Sequence, residues 1–280
     1  MERIVKIVKL ITLASLIAGF FLIYTPAFAQ EELKITLEQI ADKIELIKEI
    51  KNDDELNWAE KDEKETILRK EILFNIFQLT ILENNDLKGK LESLDNLIKE
   101  EDDIKTALIK ALDENTEIFN LMQLRLEEAN SLYDIKNLAN EFNNWRSLVY
   151  NPKVENIITF TIVFRQKNIL EIAENRLEKI KEDLNNLENA DLLKDGEVDE
   201  LLQNAISKIE EAKTSNEKAE KNMITYLNRK LFSKIKFGIS YFISSSSVKD
   251  SVNESLDQVR DAYSIFIEIG RSAKEKVGIN

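Results

Sequence analysis

Ser246-Ser247-Val248-Lys249 places a serine one helical turn before a lysine, a spacing at which an amine can activate a hydroxyl nucleophile. The S-D-N and K-T-G elements that accompany this chemistry elsewhere are absent. The match lies in the serine run 244–247, so the segment reads as a flexible linker. Adjacent carboxylates occur at Glu127-Glu128 and Glu210-Glu211. Hydrolysis by paired carboxyls needs two opposed groups in a cleft, one of them in an apolar environment that raises its pKa. Exposed helix faces offer neither, and these acids read as solvated charge with lysine partners one turn away.

Asp53-Asp54-Glu55 and the cluster Glu100 to Asp103 supply oxygen ligands of the kind calcium takes, but without the glycine-containing alternating loop of an EF-hand. They read as loop and helix-capping acids. The chain has no histidine and no cysteine. It therefore lacks the usual general base near neutral pH, the commonest transition-metal ligand, a thiol nucleophile and disulfide staples. No catalytic, cofactor-binding or metal-binding residue is expected, and the sequence reads as that of a protein without enzymatic activity or small-molecule substrate. Asn253-Glu254-Ser255 is a lone glycosylation sequon of little weight.

The chain begins with Arg3, Lys6 and Lys9 around apolar residues, continues through an uncharged run from Leu10 to Tyr24, and reaches Pro26-Ala27-Phe28-Ala29. A basic start, a short apolar core and an A-x-A ending have the form of a cleavable signal peptide over residues 1–29, leaving Gln30 as the new N-terminus. An uncleaved anchor is the competing reading, and the apolar run is shorter than the ~20 residues that span a bilayer. The expected location is outside the cytoplasm: periplasmic, cell-surface or extracellular. Net charge is −13 over 280 residues. Such an acidic surface repels phosphate backbones, which excludes nucleic acid as a natural partner.

Six glycines and two prolines leave few breaks, and long helices follow. Leu33, Leu37, Ile40, Ile44 and Ile47 draw one apolar stripe, which Lys51 to Glu55 interrupts. From Glu65 to Leu82 apolar residues cover most of a helix circumference and predict the most buried helix of its bundle. A stop is expected at Asn84-Asn85-Asp86. Leu87, Leu91, Leu94 and Ile98 then lead to a new helix start at Glu100 to Asp103, where acids offset the positive end of the helix dipole. Ile104, Leu108, Ala111, Ile118, Met122 and Ala129 continue the pattern, followed by Leu132, Ile135, Leu138, Phe142 and Trp145. Pro152 predicts a helix end near Tyr150 and a new start with the proline in its first turn. Phe142, Trp145, Tyr150, Phe160 and Phe164 read as a core cluster around that joint.

Beyond it, Val163, Gln166, Leu170, Ala173, Leu177, Ile180, Leu184 and Leu187 form a heptad seam. After Asp191 to Gly196 a second seam runs Val198, Leu202, Ala205, Ile209, Ala212, Asn216, Ala219 and Met223. Two such helices joined by a short loop predict an antiparallel coiled-coil hairpin over about 153–236. A third seam, over about 248–277, is Val252, Leu256, Val259, Tyr263, Phe266, Gly270, Ala273 and Val277. Together they predict a bundle about 40 Å long at ~1.5 Å per residue.

One segment departs from this pattern. Ile235, Phe237, Ile239, Tyr241 and Ile243 alternate as in a strand, whereas Phe232, Ile235, Ile239 and Phe242 align as on a helix. The leading reading continues the helix from Val198 to about Ile243; the alternatives are a membrane-touching tongue or a subunit interface over 232–243. Phe232, Ile235, Phe237, Ile239, Tyr241 and Phe242 are thus the candidate membrane or partner contacts.

The sequence as a whole predicts an all-α, elongated helical bundle, with a leader (1–29), an N-terminal helical region (30–151) and a coiled-coil region (152–280). Its expected role is structural or interactive, with a protein partner or self-association. Layout alone supports an alternative of the pore-forming kind, a membrane-active bundle inserting 232–243. An uncleaved leader would be a second route to membrane contact.

Overall fold

A computed structural model describes residues 27–189, 196, 198–232 and 242–277. The chain is all-α, and no strand occurs among the described residues. Its helices are α1 (Ala27–Asn52), α2 (Trp58–Glu92), α3 (Lys99–Glu128), α4 (Leu132–Trp145), a π-helical turn (Arg146–Tyr150), α5 (Asn151–Asn189), α6 (Asp199–Phe232) and α7 (Phe242–Val277). Two compact units divide them. One takes the chain up to Glu92 together with Leu108–Val154, and the other takes Ser93–Ala107 with the residues from Glu155 onward.

In the first unit, Ile40 and Ile47 of the predicted stripe are buried, with Leu37 and Ile44 half-buried beside them. Lys43 pairs with Glu71 and Lys51 with Glu65, so α1 and α2 run antiparallel. Along α2, Ile72, Leu73, Ile76, Phe77 and Leu79 are buried, but Ile67 and Phe74 face outward. The expected stop at Asn84-Asn85-Asp86 does not occur, and α2 passes through it to Glu92. Asn84 is buried and donates its amide to the Leu112 carbonyl and the Thr116 hydroxyl, while Asp86 pairs with Lys90 one turn on. Tertiary partners thus satisfy the asparagine's amide nitrogen inside the helix, while its Oδ1 is buried without a hydrogen bond, and no cap is required. The break falls later, at Asn96, which takes a positive φ of 57°.

Ser131 caps α4 by accepting the Asp134 N–H. As expected, a new α-helix starts with Pro152 in its first turn, at Asn151, but no loop separates it from the helix before. The backbone stays helical through a π turn, in which the Asn151 N–H reaches back five residues to the Arg146 carbonyl. A widened turn makes room for a proline ring and removes the need for its missing N–H, so α5 begins without a loop.

In the second unit, α5, α6 and α7 share one core. Leu170, Ala173, Leu177, Ile180 and Leu184 meet Val198, Ala205, Ile209 and Ala212, and both sets meet Val259, Ala262, Phe266, Ile269 and Ala273. Lys167 pairs with Glu220 and Lys213 with Glu174, so the partner number on α6 falls as that on α5 rises, and the two helices run antiparallel. Gly196 enters α6 with a φ of 82°, a left-handed conformation that favours glycine.

The seam of α7 is corrected by the structure. Val252, Val259, Phe266 and Ala273 are buried as expected, but Ser255, Ala262 and Ile269 alternate with them, in place of Leu256, Tyr263 and Gly270. Small residues face the core because α6 comes close: the buried Ser255 hydroxyl donates to the Ala212 carbonyl at 2.7 Å. The serines at 244–247 are helical, not a linker, and lie in the opening turns of α7. No helix among the described residues is long and apolar enough to cross a membrane.

Candidate functional site

The most enclosed polar group of the first unit is built by α2 and the π turn. On α2, Ile76, Leu79, Glu83 and Leu87 follow one buried face, so a carboxylate interrupts an apolar row. Phe142 and Arg146 continue the buried row of α4 into the π turn, where a guanidinium interrupts it. The two interruptions meet. Arg146 donates to the Glu83 carboxylate at 2.9 Å and to the Thr80 hydroxyl at 2.6 Å, and lies 5.4 Å from the centre of the Tyr150 ring.

Phe77, Phe119, Phe142, Trp145 and Tyr150 surround this group with ring contacts between 4.9 and 6.5 Å. Burial pushes the Glu83 carboxyl up from its ordinary range, and the Arg146 charge pulls against it. The Tyr150 hydroxyl, buried without a well-formed hydrogen bond, is held well above its usual value by burial and then by the Glu83 charge. A phenol so disposed stays protonated, and the guanidinium is already occupied. The arrangement anchors α2 to the π turn.

A second cluster joins α3, α5 and α6 within the other unit. Glu101 is fully buried; its carboxylate accepts the Ile98 N–H at 2.9 Å, capping α3, and the Lys167 ammonium at 3.2 Å. The same ammonium reaches Glu220 at 3.2 Å. Burial and the neighbouring Glu101 carboxyl raise the Glu220 pKa, and Lys167 opposes them. Burial pulls the Lys167 ammonium down, yet the charges of Glu220 and Glu101 carry it upward. Asn228 donates to Glu100, and a shallow groove lined by Glu100, Glu217, Glu220, Lys221, Ile224 and Thr225 opens beside the cluster. The lysine sits where a cation would, between the two carboxylates. Among the described residues no group of three or more acids is arranged to hold a metal ion.

No known protein family, curated protein or solved structure matches this chain.

The residues singled out in the sequence are dispersed. Ile235, Phe237, Ile239 and Tyr241 lie outside the described residues; Phe232 closes α6 and Phe242 opens α7, and their side chains also lie outside them. Ile243, expected near the end of the α6 helix, stands in the first turn of α7. Lys249 is engaged by Glu155, and the Ser246 side chain lies outside the described residues. Glu211 is bound by Lys208 and Ser207, which hold its carboxyl below the usual range. Asp53 accepts the Glu55 N–H in a local turn. Of the predicted aromatic cluster, Phe142, Trp145 and Tyr150 come together in the first unit, while Phe160 and Phe164 pair at 4.4 Å in the second.

Against these closed interiors, paired apolar side chains remain outside. On α3, Leu121 and Leu124 are 60% and 56% exposed; on α5, Ile169 and Ile172 are 39% and 61% exposed. Both pairs are spaced i, i+3 and so occupy one face of their helix.

Proposed function

We propose that this chain is an exported helical-bundle protein with a structural or protein-interaction role, in which α5 and α6 form an antiparallel coiled-coil hairpin. The observation that carries the reading is the exposure of paired apolar side chains on α3 and α5, while the ionisable clusters are filled by their own counter-charges. Single exposed leucines are ordinary on any surface. Pairs aligned along one helix face, on a chain this acidic, are the form in which helices present docking stripes to other proteins. The export component rests on residues 1–29, with their basic start, apolar run and A-x-A ending. The expected scission point after Ala29 falls in the first turn of α1.

The test is affinity capture from the native cell envelope with the full chain as bait, beside a variant carrying Leu121→Asp, Leu124→Asp, Ile169→Asp and Ile172→Asp. The reading expects a protein held by the wild type and released by the variant. An identical set captured by both baits would contradict it.

A further inference from the structure

The two apolar pairs are flanked by opposite charges at matching positions. On α3 the exposed row is Glu117, Leu121, Leu124 and Glu128; on α5 it is Arg165, Ile169, Ile172 and Arg176. Each row advances by four, three and four residues, the recurrence that keeps side chains on one helix face. Each covers twelve residues, about 16 Å from end to end at ~1.5 Å per residue. All eight side chains are exposed. Glu114 extends the acidic row by nearly a turn and Lys179 the basic one, and both are exposed as well.

From these rows we infer that the α3 row of one molecule docks on the α5 row of a second copy of this chain. The inference deepens the interaction reading and rests on it. Three observations select this occupant. The charges are complementary: two carboxylates face two guanidiniums, which suit bidentate pairing. The order charge, apolar, apolar, charge reads the same in both directions, so the rows match whichever way the helices run. The bases beside the acidic row are also already engaged: Arg125 holds Glu141 through two contacts of 2.7 Å, and the Lys70 ammonium donates to the Glu127 and Ala129 carbonyls at 2.7 and 3.2 Å. On the basic row Arg165 makes one contact, to the Ser93 hydroxyl at 3.0 Å. Among the described residues Glu117, Glu128 and Arg176 enter none of the ion pairs that engage Arg125, Lys167 and Lys213.

The area sets the form of the assembly. Three turns of helix against three turns fall short of the roughly 1,200 Å² that a stable specific interface buries. Each copy carries both rows and so makes the contact twice, once through α3 and once through α5, in a closed ring or an open chain of copies. Association weakens as salt screens the charged ends.

The experiment is sedimentation equilibrium of the full chain with two charge-reversed variants, Arg165→Glu with Arg176→Glu, and Glu117→Arg with Glu128→Arg. Every substituted position is exposed, and circular dichroism verifies that helicity is kept. The wild type should self-associate, and each variant alone should do so at least about tenfold more weakly, because its two rows carry like charge. An equimolar mixture of the variants should recover association to within a few-fold of wild type, since each row again meets its opposite. A monomeric wild type, a variant that associates as the wild type does, or a mixture that stays apart would overturn the inference. A monomeric wild type that still captures a different protein through the same leucines and isoleucines would overturn self-docking alone and leave the interaction reading standing.

Discussion

Arg146 closes on Glu83 at 2.9 Å across 63 residues of sequence, with both side chains almost wholly withdrawn from solvent. Neither charge is tolerable there alone. The pair fixes how the π turn lies against α2, and the aromatic rings around it depend on that position.

Removing one partner is therefore expected to cost more than removing both. Arg146→Met strands a buried carboxylate and should destabilise the chain by about 3–5 kcal/mol, whereas Arg146→Met combined with Glu83→Leu should recover most of that loss. Urea unfolding of the two variants and the wild type measures the difference. Equal destabilisation by the single and double variants would show that the pair is not coupled.

A different balance governs Glu220, which shares Lys167 with the buried Glu101 beside Glu100, Glu217 and Lys221. Its pKa is raised in the folded state from an ordinary value of 4.5, so the native protein binds that proton more tightly than the unfolded chain does. The stability this contributes is complete below about pH 4.5 and is lost as pH rises through the raised value. Glu220→Gln stays neutral and has no such loss. Unfolding midpoints should therefore shift in favour of the variant as pH climbs from 4.5 toward neutrality; a gap that is constant or narrows would contradict the assignment.

The corrected face of α7 makes two opposite substitutions informative. Ala262 is fully buried, and Ala262→Leu should overpack the core and cost about 1–3 kcal/mol. Gly270 is exposed with open space where a Cβ would sit, so Gly270→Ala should gain about 0.5–1 kcal/mol from helix propensity. If Gly270 instead faced the core, as its heptad spacing implies from sequence, the alanine would destabilise. Thermal unfolding of both variants decides.

Much of this fold is legible from spacing, because burial of an apolar stripe is a local property of one helix. Ile40 and Ile47 of α1, Leu170 to Leu184 of α5 and Ala205 to Met223 of α6 are where their periodicity puts them. What spacing misreads are residues whose partners are distant. Asn84 looks like a stop until Leu112 and Thr116 accept its amide, and Ser255 looks polar until Ala212 takes its hydroxyl. On α7 heptad spacing alone points to Leu256, Tyr263 and Gly270, whereas Ser255 and Ala262 face the core where α6 comes close, and Ile269 takes the place of Gly270.

The polar clusters left a faint trace. Glu83 and Arg146 each stand in an apolar row where a leucine would be expected, and opposite charges breaking two buried rows are the sign of a buried pair. The acidic and basic rows on α3 and α5 were equally present in the sequence, but only exposure separates a docking face from a core face.

The membrane alternative gives a clear expectation as well. On the interaction reading, the full chain leaves dye-loaded vesicles of neutral or anionic lipid intact at pH 5 and pH 7, since its surface is acidic. Release that disappears on Phe237→Asp would move the assignment to membrane activity through 232–243.

The most direct test of the central claim, that exposed helix faces carry the function, is site-specific photocrosslinking in the native cell. A photoreactive residue placed at Leu121 or Ile172 should yield a discrete protein adduct, and one placed at the exposed Glu182 on α5 should yield none. No adduct from either apolar position, or the same adducts from all three, would contradict the account.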